Sequence, residues 1–179
     1  MKACEMRDVC VCVFAKPAKP GRAKTRLAPR LGNDGAAALA HAFFLDTWAT
    51  CSQLSWAETV LATTNVASRE WKGVPRNRVW AQGRGTLGDR LERTLRRALR
   101  SWPGAIAIGT DLPGLPPALL DSARQALQRA DAVLGPVDDG ASTYLGFARV
   151  RSAYWRICRG ARPTPSRARL IGCGLAVCR

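Results

Sequence analysis

The sequence predicts an α/β fold: a mostly parallel sheet layered between helices. Three observations predict it. Short apolar runs rich in β-branched residues recur along the chain, amphipathic stretches at helical spacing lie between them, and the two alternate from residue 8 to about 135. Of 179 residues, 47% are hydrophobic and 23% charged, enough apolar material for a packed core and the wrong composition for a disordered chain.

Residues 8–15 (DVCVCVFA) have the pattern of a strand buried on both faces, central in a sheet. Residues 16–32 mix prolines and glycines with six basic residues and read as a loop. Asn33 or Asp34 can cap a helix in which Ala38, Leu39, Ala42, Phe43, Leu45 and Trp48 recur at helical spacing, ending near Cys51. A second strand is predicted at 58–64 and a third at 78–81, after a polar segment containing Trp71. Residues 88–100 form an amphipathic helix, with Leu87, Leu91, Leu95 and Leu99 one turn apart. Residues 105–109 (AIAIG) read as a buried strand that ends at Thr110 and Asp111. Pro116 and Pro117 suit the start of a helix through 119–130, and 132–134 give a fifth strand.

Composition excludes several function classes. The formal charge is +15, which invites a nucleic-acid partner, but residues 140–179 alone carry eight arginines and no acid. The excess is mostly a property of the tail. The six tryptophans are scattered instead of interleaved with the basic cluster, and no nucleic-acid-binding signature appears, so no nucleic-acid partner is expected. Apolar runs fall far short of the roughly 20 residues needed to span a bilayer. Glu5, Arg7 and Asp8 interrupt any secretory signal core, and the cytoplasm is the expected compartment. Seven cysteines lack paired CxxC spacing, which argues against zinc; Cys10 and Cys12, two apart in a strand, would share one face as small buried hydrophobes. His41, the single histidine, has no catalytic partner in view and reads as structural, and no GxSxG elbow is present.

Ligands of parallel sheets bind beyond the carboxyl ends of the strands, and the unusual local motifs fall there, after residues 14, 81 and 109. The first places Gly21 among Lys16, Lys19, Arg22, Lys24 and Arg26. Such a loop suits a polyphosphate, because glycine lets backbone N–H groups approach and the cations stabilise charge on a leaving pyrophosphate; a solvated basic loop is the alternative. Asp111, just past an apolar strand, is well sited to hold Mg²⁺ or Mn²⁺ on nucleotide phosphates, the alternative being a turn or helix cap. In residues 82–90 (QGRGTLGDR), Gln82 and the backbone near Thr86 offer contacts for a base edge, or the segment is a plain turn. Asp138 and Asp139 before Gly140 repeat the acidic arrangement, or form an ordinary Asp-Gly turn.

The order of these motifs, FAKPAKPGRAKTRLAP, LDT, QGRGTLGDRL, IGTDLPGL and LGPVDDG, resembles a bacterial family of nucleotide-diphospho-sugar transferase-like proteins with a GT-A fold, often described as radical-SAM/selenodomain-associated glycosyltransferases. KTRLAP is more distantly similar to the phospholactate guanylyltransferases, and the loop, Gln and Asp order to molybdenum-cofactor nucleotidyltransferases. The resemblance covers residues 8 to 147 and implies a GT-A, Rossmann-like three-layer sandwich. It implies a phosphate loop at Gly21, Lys24 and Arg26, base or ribose contacts at Gln82 and from Gly85 to Gly88, and a metal carboxylate at Asp111. Asp139, Gly140 and Gly146 match the last family motif, whereas Ala141, Ser142 and Thr143 depart from it.

Residues 1–147 are therefore expected to be the transferase domain. Residues 148–179 form an atypical Arg- and Cys-rich tail, the composition of a frameshifted or truncated gene product or of a divergent insertion. The expected function is a metal-dependent transferase that takes a nucleotide-activated donor and a small-molecule acceptor. Glycosyl transfer comes first, nucleotidyl transfer second, and an inactive nucleotide-binding relic third; Lys24, Arg26 and Asp111 are the expected catalytic residues and Mg²⁺ or Mn²⁺ the cofactor.

Overall fold

The computed structural model describes residues 7–111, 114–136, 142–148, 169–171 and 175–178. Strand β1 (Val9–Ala15) lies at the heart of the sheet, as its continuous apolar run requires, with Val9, Val11 and Val13 buried on one face and Cys10 and Cys12 on the other. It pairs in parallel with β2 (Ala57–Thr63) on one side and β4 (Gly104–Gly109) on the other, and β3 (Val79–Ala81) extends the parallel set beyond β2. The strands β5 (Ala132–Pro136), β6 (Ser142–Phe147), β7 (Arg169–Ile171) and β8 (Leu175–Cys178) complete an eight-stranded order of β3-β2-β1-β4-β6-β5-β8-β7 among the described residues.

Helices sandwich this sheet. On one face α1 (Ala28–Ser52) and α3 (Pro117–Leu127) place Phe44, Cys51, Leu120, Ala123 and Leu127 against Val11, Leu61 and Ile106. On the other, α2 (Leu87–Ala98) sets Leu95 and Ala98 against Cys10, Cys12, Val60 and Phe147. The result is the GT-A-type three-layer sandwich. Among the described residues no helix is long and apolar enough to cross a membrane.

Three features differ from the sequence reading. First, β6 runs antiparallel between β4 and β5, with Ala105 opposite Phe147 and Val133 opposite Gly146, so the fifth strand in sequence does not pair with the fourth. Second, residues 28–31 open α1 instead of extending the loop, because proline is tolerated in a first helical turn; Gly32, at φ 71° and ψ 168°, then breaks the helix before Asn33. Third, the tail contributes the antiparallel β7–β8 pair, with β8 against β5, where alternation of strand and helix predicted no further element.

The chain leaves β1 toward β2 and β3 on one side and returns to β4 on the other. The boundary between β1 and β4 is thus the switch point where a crevice opens at the carboxyl ends of the strands.

Candidate nucleotide-phosphate cleft

A cavity of about 530 Å³ occupies that crevice. Its floor is the carboxyl end of β1 (Phe14, Ala15), its sides the ensuing loop and the end of β4 (Gly109, Thr110, Asp111). Residues of α1, the turn after β2 and the start of α2 close it. Lys16, Arg22, Lys24 and Arg90 line it against the two carboxylates of Glu70 and Asp111, so cations prevail in the described wall.

The cationic loop and the acid 87 positions later meet directly. Lys24 Nζ lies 2.7 Å from Asp111 Oδ1 and 4.7 Å from the centroid of the Phe43 ring. The two partners differ in exposure: the Lys24 side chain retains 20% of its accessible surface and that of Asp111 83%. Lys24 adopts φ 45°, a conformation that non-glycine residues rarely hold, so the loop is bent locally to deliver this ammonium. A second tether fixes the loop further back, where the Ala18 N–H donates to Glu70 Oε2 at 2.6 Å from the 3-10 turn Arg69–Trp71.

Of the residues singled out in the sequence, Lys16, Lys24, Gln82, Gly85 and Asp111 all line the cavity. Gly21 and Arg26 belong to the same loop but stand outside the lining, both exposed, with Gly21 at φ 73°. Thr86 and Gly88 are also outside it. Thr86 is the N-cap of α2 in a complete capping box: its hydroxyl accepts from Asp89 N–H at 3.2 Å, and its own N–H donates to Asp89 Oδ2 at 2.8 Å. Asp138, Asp139 and Gly140 lie outside the described residues.

Gln82 is buried and already engaged. Its side-chain Nε2 donates to Ala62 O at 2.8 Å, its N–H donates to Thr63 O, and its carbonyl accepts from Arg93. These bonds staple β3 to β2 and α2. Glu70, Trp71, Arg90 and His41 also line the cavity, and the sequence reading had not placed them at the site. Glu70 and Trp71 lie in an irregular segment, and Arg90 looked like any arginine on an amphipathic helix. The recurrence of Ala40, His41 and Phe44 on one helical face was the signal available for His41.

Elsewhere the chemistry is quiet. Cys10 and Cys12 Sγ atoms sit 3.9 Å apart behind the sheet, and the Cys12 thiol is pushed well up by its contact with Cys10 and by burial. Burial also raises Cys51 to about 12. Cys10 and Cys12 share one buried face of β1, as their spacing in a strand predicts, and Cys51 is buried in the core on the other face of the sheet.

No cluster of three His, Cys, Asp or Glu side chains stands ready for a metal among the described residues. One exposed carboxylate held by a lysine does not fit a cation bound by protein alone. It fits Mg²⁺ arriving on phosphates, which needs one or two carboxylates and keeps its other positions for phosphate and water.

Comparison with known structures supports the fold. A candidate nucleotide-diphospho-sugar transferase from Desulfovibrio desulfuricans G20 is 30% identical with a TM-score of 0.72, over 79% of this chain and 64% of that one. The chain thus spans less than two thirds of that protein's length. A 4-diphosphocytidyl-2C-methyl-D-erythritol synthase from Anaerococcus prevotii DSM 20548 matches at 12% identity and a TM-score of 0.52, over 89% of this chain and 78% of that one. The bifunctional IspDF of Campylobacter jejuni matches at 13% identity and a TM-score of 0.50, over 83% of this chain and 43% of that one. These two share the fold alone. No curated protein matches in sequence. The sequence profile of the family described as an uncharacterized protein conserved in bacteria, DUF2064, matches residues 47–158, and the chain belongs to that family.

Proposed function

We propose that the cleft binds the polyphosphate of a nucleotide-activated donor and that the protein is a metal-dependent transferase, acting first on a nucleotide-diphospho-sugar. The observation that carries this reading is the Lys24–Asp111 contact, which brings a phosphate-seeking cation and a metal-seeking carboxylate to one point at the β1/β4 switch. The 30% identity with the Desulfovibrio protein supports the same reading.

In this proposal Lys16, Arg22 and Lys24 neutralise the donor phosphates, Arg26 joins them from the rim, and backbone N–H groups around Gly21 approach the phosphate oxygens. Asp111 holds Mg²⁺ or Mn²⁺, whose chemistry when bound is to stabilise charge on the departing diphosphate. Lys24 leaves Asp111 for the phosphates as the donor enters, so the positive charge beside the leaving group is kept. Asp139 and Gly140 are assigned to the acceptor or sugar side from their motif. The catalytic unit is placed in residues 1–147, and 148–179 are treated as an appendage. Nucleotidyl transfer is the second reading, favoured by the KTRLAP segment, and would use the same loop and carboxylate.

A thermal-shift panel of nucleoside triphosphates and nucleotide sugars, with and without Mg²⁺ or Mn²⁺, tests the site on wild type and Asp111→Ala. Stabilisation that requires nucleotide and metal and disappears in Asp111→Ala is the expected result. Equal shifts in both proteins would remove Asp111 from the site. Product analysis then separates the transfers: release of a nucleoside diphosphate marks glycosyl transfer, and release of pyrophosphate marks nucleotidyl transfer.

A further inference from the structure

Among the described residues, two hydrogen bonds tie residues 17–26, the loop after β1, to distant parts of the chain: Lys24 Nζ to Asp111 Oδ1, and the Ala18 N–H to Glu70 Oε2. The remaining backbone bonds run within the loop or into the first turn of α1, as where the Arg22 and Ala23 N–H groups donate to Lys19 O. Pro17 and Pro20 carry no N–H, so Ala18 supplies one of the few backbone donors that the first half of the loop has for a tether.

Glu70 is built to hold that donor. It sits half-buried in the 3-10 turn Arg69–Trp71, which Ser68 opens with its side chain accepting from the Glu70 N–H. Trp71, only 4% exposed, anchors the turn in the core: its indole N–H donates to Asn65 O at 2.8 Å, and its ring packs edge-on against Phe44 with centroids 4.8 Å apart. A carboxylate on a core-anchored turn is thereby fixed 2.6 Å from the Ala18 nitrogen. Yet Glu70 also lines a cavity whose cations suit a polyphosphate, where a negative charge repels the occupant. That cost calls for a role other than phosphate contact.

We infer that Glu70 is a positioning residue for the phosphate loop: by accepting from the Ala18 N–H it holds the loop in the shape that carries Lys16, Arg22 and Lys24 to the donor. This assignment rests on the cleft being a nucleotide-phosphate site. In that reading Lys24 gives up Asp111 as the donor enters, so the Glu70 bond is the tether that remains in the loaded state. An anchor already in place spares binding the entropy of ordering the loop. What the loop needs from Glu70 is an acceptor oxygen, and the charge that comes with it opposes binding.

The test compares wild type, Glu70→Gln and Glu70→Ala. Both variants delete the charge, and glutamine alone keeps an acceptor oxygen for Ala18. In the ligand-free proteins, hydrogen exchange of the Ala18 amide followed by ¹⁵N NMR should be slow in wild type and Glu70→Gln and at least about 5-fold faster in Glu70→Ala. Titration calorimetry with inorganic tripolyphosphate and Mg²⁺ should find Glu70→Gln at least as tight as wild type, and Glu70→Ala about 5-fold weaker than Glu70→Gln. Equal affinities in the two variants overturn the assignment, whatever Glu70→Ala does to the melting temperature, because neither a purely structural role nor charge alone separates them. A loss shared by both variants and seen only with Mg²⁺ would make Glu70 a metal ligand and overturns it too. Unchanged Ala18 exchange in Glu70→Ala does the same. Failure of wild type to bind tripolyphosphate or any Mg²⁺–nucleoside triphosphate instead rejects the cleft as a phosphate site, and this assignment with it.

Discussion

Replacing Gly85 with alanine tests how the wall beside the cleft is built. Gly85 adopts φ 111°, a backbone region that a side chain disfavours by roughly 1–3 kcal/mol. A Cβ there would stand 2.8 Å from Asp89 Oδ2 and 3.0 Å from Asp89 Cβ, so the aspartate must move. Asp89 is the third helical residue of α2 and accepts from the N–H and hydroxyl of Thr86 at 2.8 and 2.7 Å. Displacing it forfeits the cap, a loss of about 1 kcal/mol. Together these give a destabilisation of roughly 2–4 kcal/mol, against about 1 kcal/mol for Thr86→Ala, which removes the cap without the strain. Urea unfolding followed by circular dichroism at 25 °C, with the transitions checked for two-state behaviour, measures both. The reasoning fails if Gly85→Ala costs no more than Thr86→Ala, because strain and collision would then contribute nothing.

Three further outcomes follow from the same geometry. Asp111→Asn should change stability by only about 0–1 kcal/mol, since the Asp111 carboxylate is largely exposed, and 1 M salt should shrink the difference; a loss of several kcal/mol would make Asp111 a structural residue. Thr94→Val should leave stability unchanged or raise it by up to about 1 kcal/mol, because the buried Thr94 hydroxyl has no partner among the described residues; a clear loss in urea titration would show that it has one. Burial holds the Cys51 thiol protonated to about pH 12, while the unfolded thiol ionises near its ordinary value of 9.0. The unfolded state therefore binds fewer protons between those values, and stability falls as pH rises by up to about 1.4 kcal/mol per unit from this group. Unfolding curves at pH 8 to 11 should show a shallower decline in Cys51→Ala; equal slopes would mean that Cys51 ionises alike in both states.

The strands were legible where packing leaves one solution. Residues 9–15 are apolar at every position because both sheet faces are covered, and no helix period competes with that pattern. Helix α2 was legible from its leucines one turn apart, whereas its Thr86–Asp89 capping box emerged only from the structure. The antiparallel insertion of β6 was not, because strand order depends on contacts between Ile106, Gly146 and Leu127 that no local pattern encodes. The cleft divided along the same line. Lys24 and Asp111 announced themselves by residue type after apolar strands, whereas His41 and Trp71 enter the wall through the packing of α1 and the β2–β3 segment across the sheet.

The most direct measurement is amide shift mapping of the ¹⁵N-labelled protein titrated with a Mg²⁺–nucleotide. Perturbations should cluster at residues 16–26, at Gln82 to Gly85 and at Thr110 and Asp111, the segments that surround the cavity. Shifts confined to the exposed Arg96 and Arg97 of α2 and to Arg100 just beyond it, with the β1 and β4 ends unmoved, would show nonspecific attraction to a basic surface and contradict a nucleotide site at the switch point.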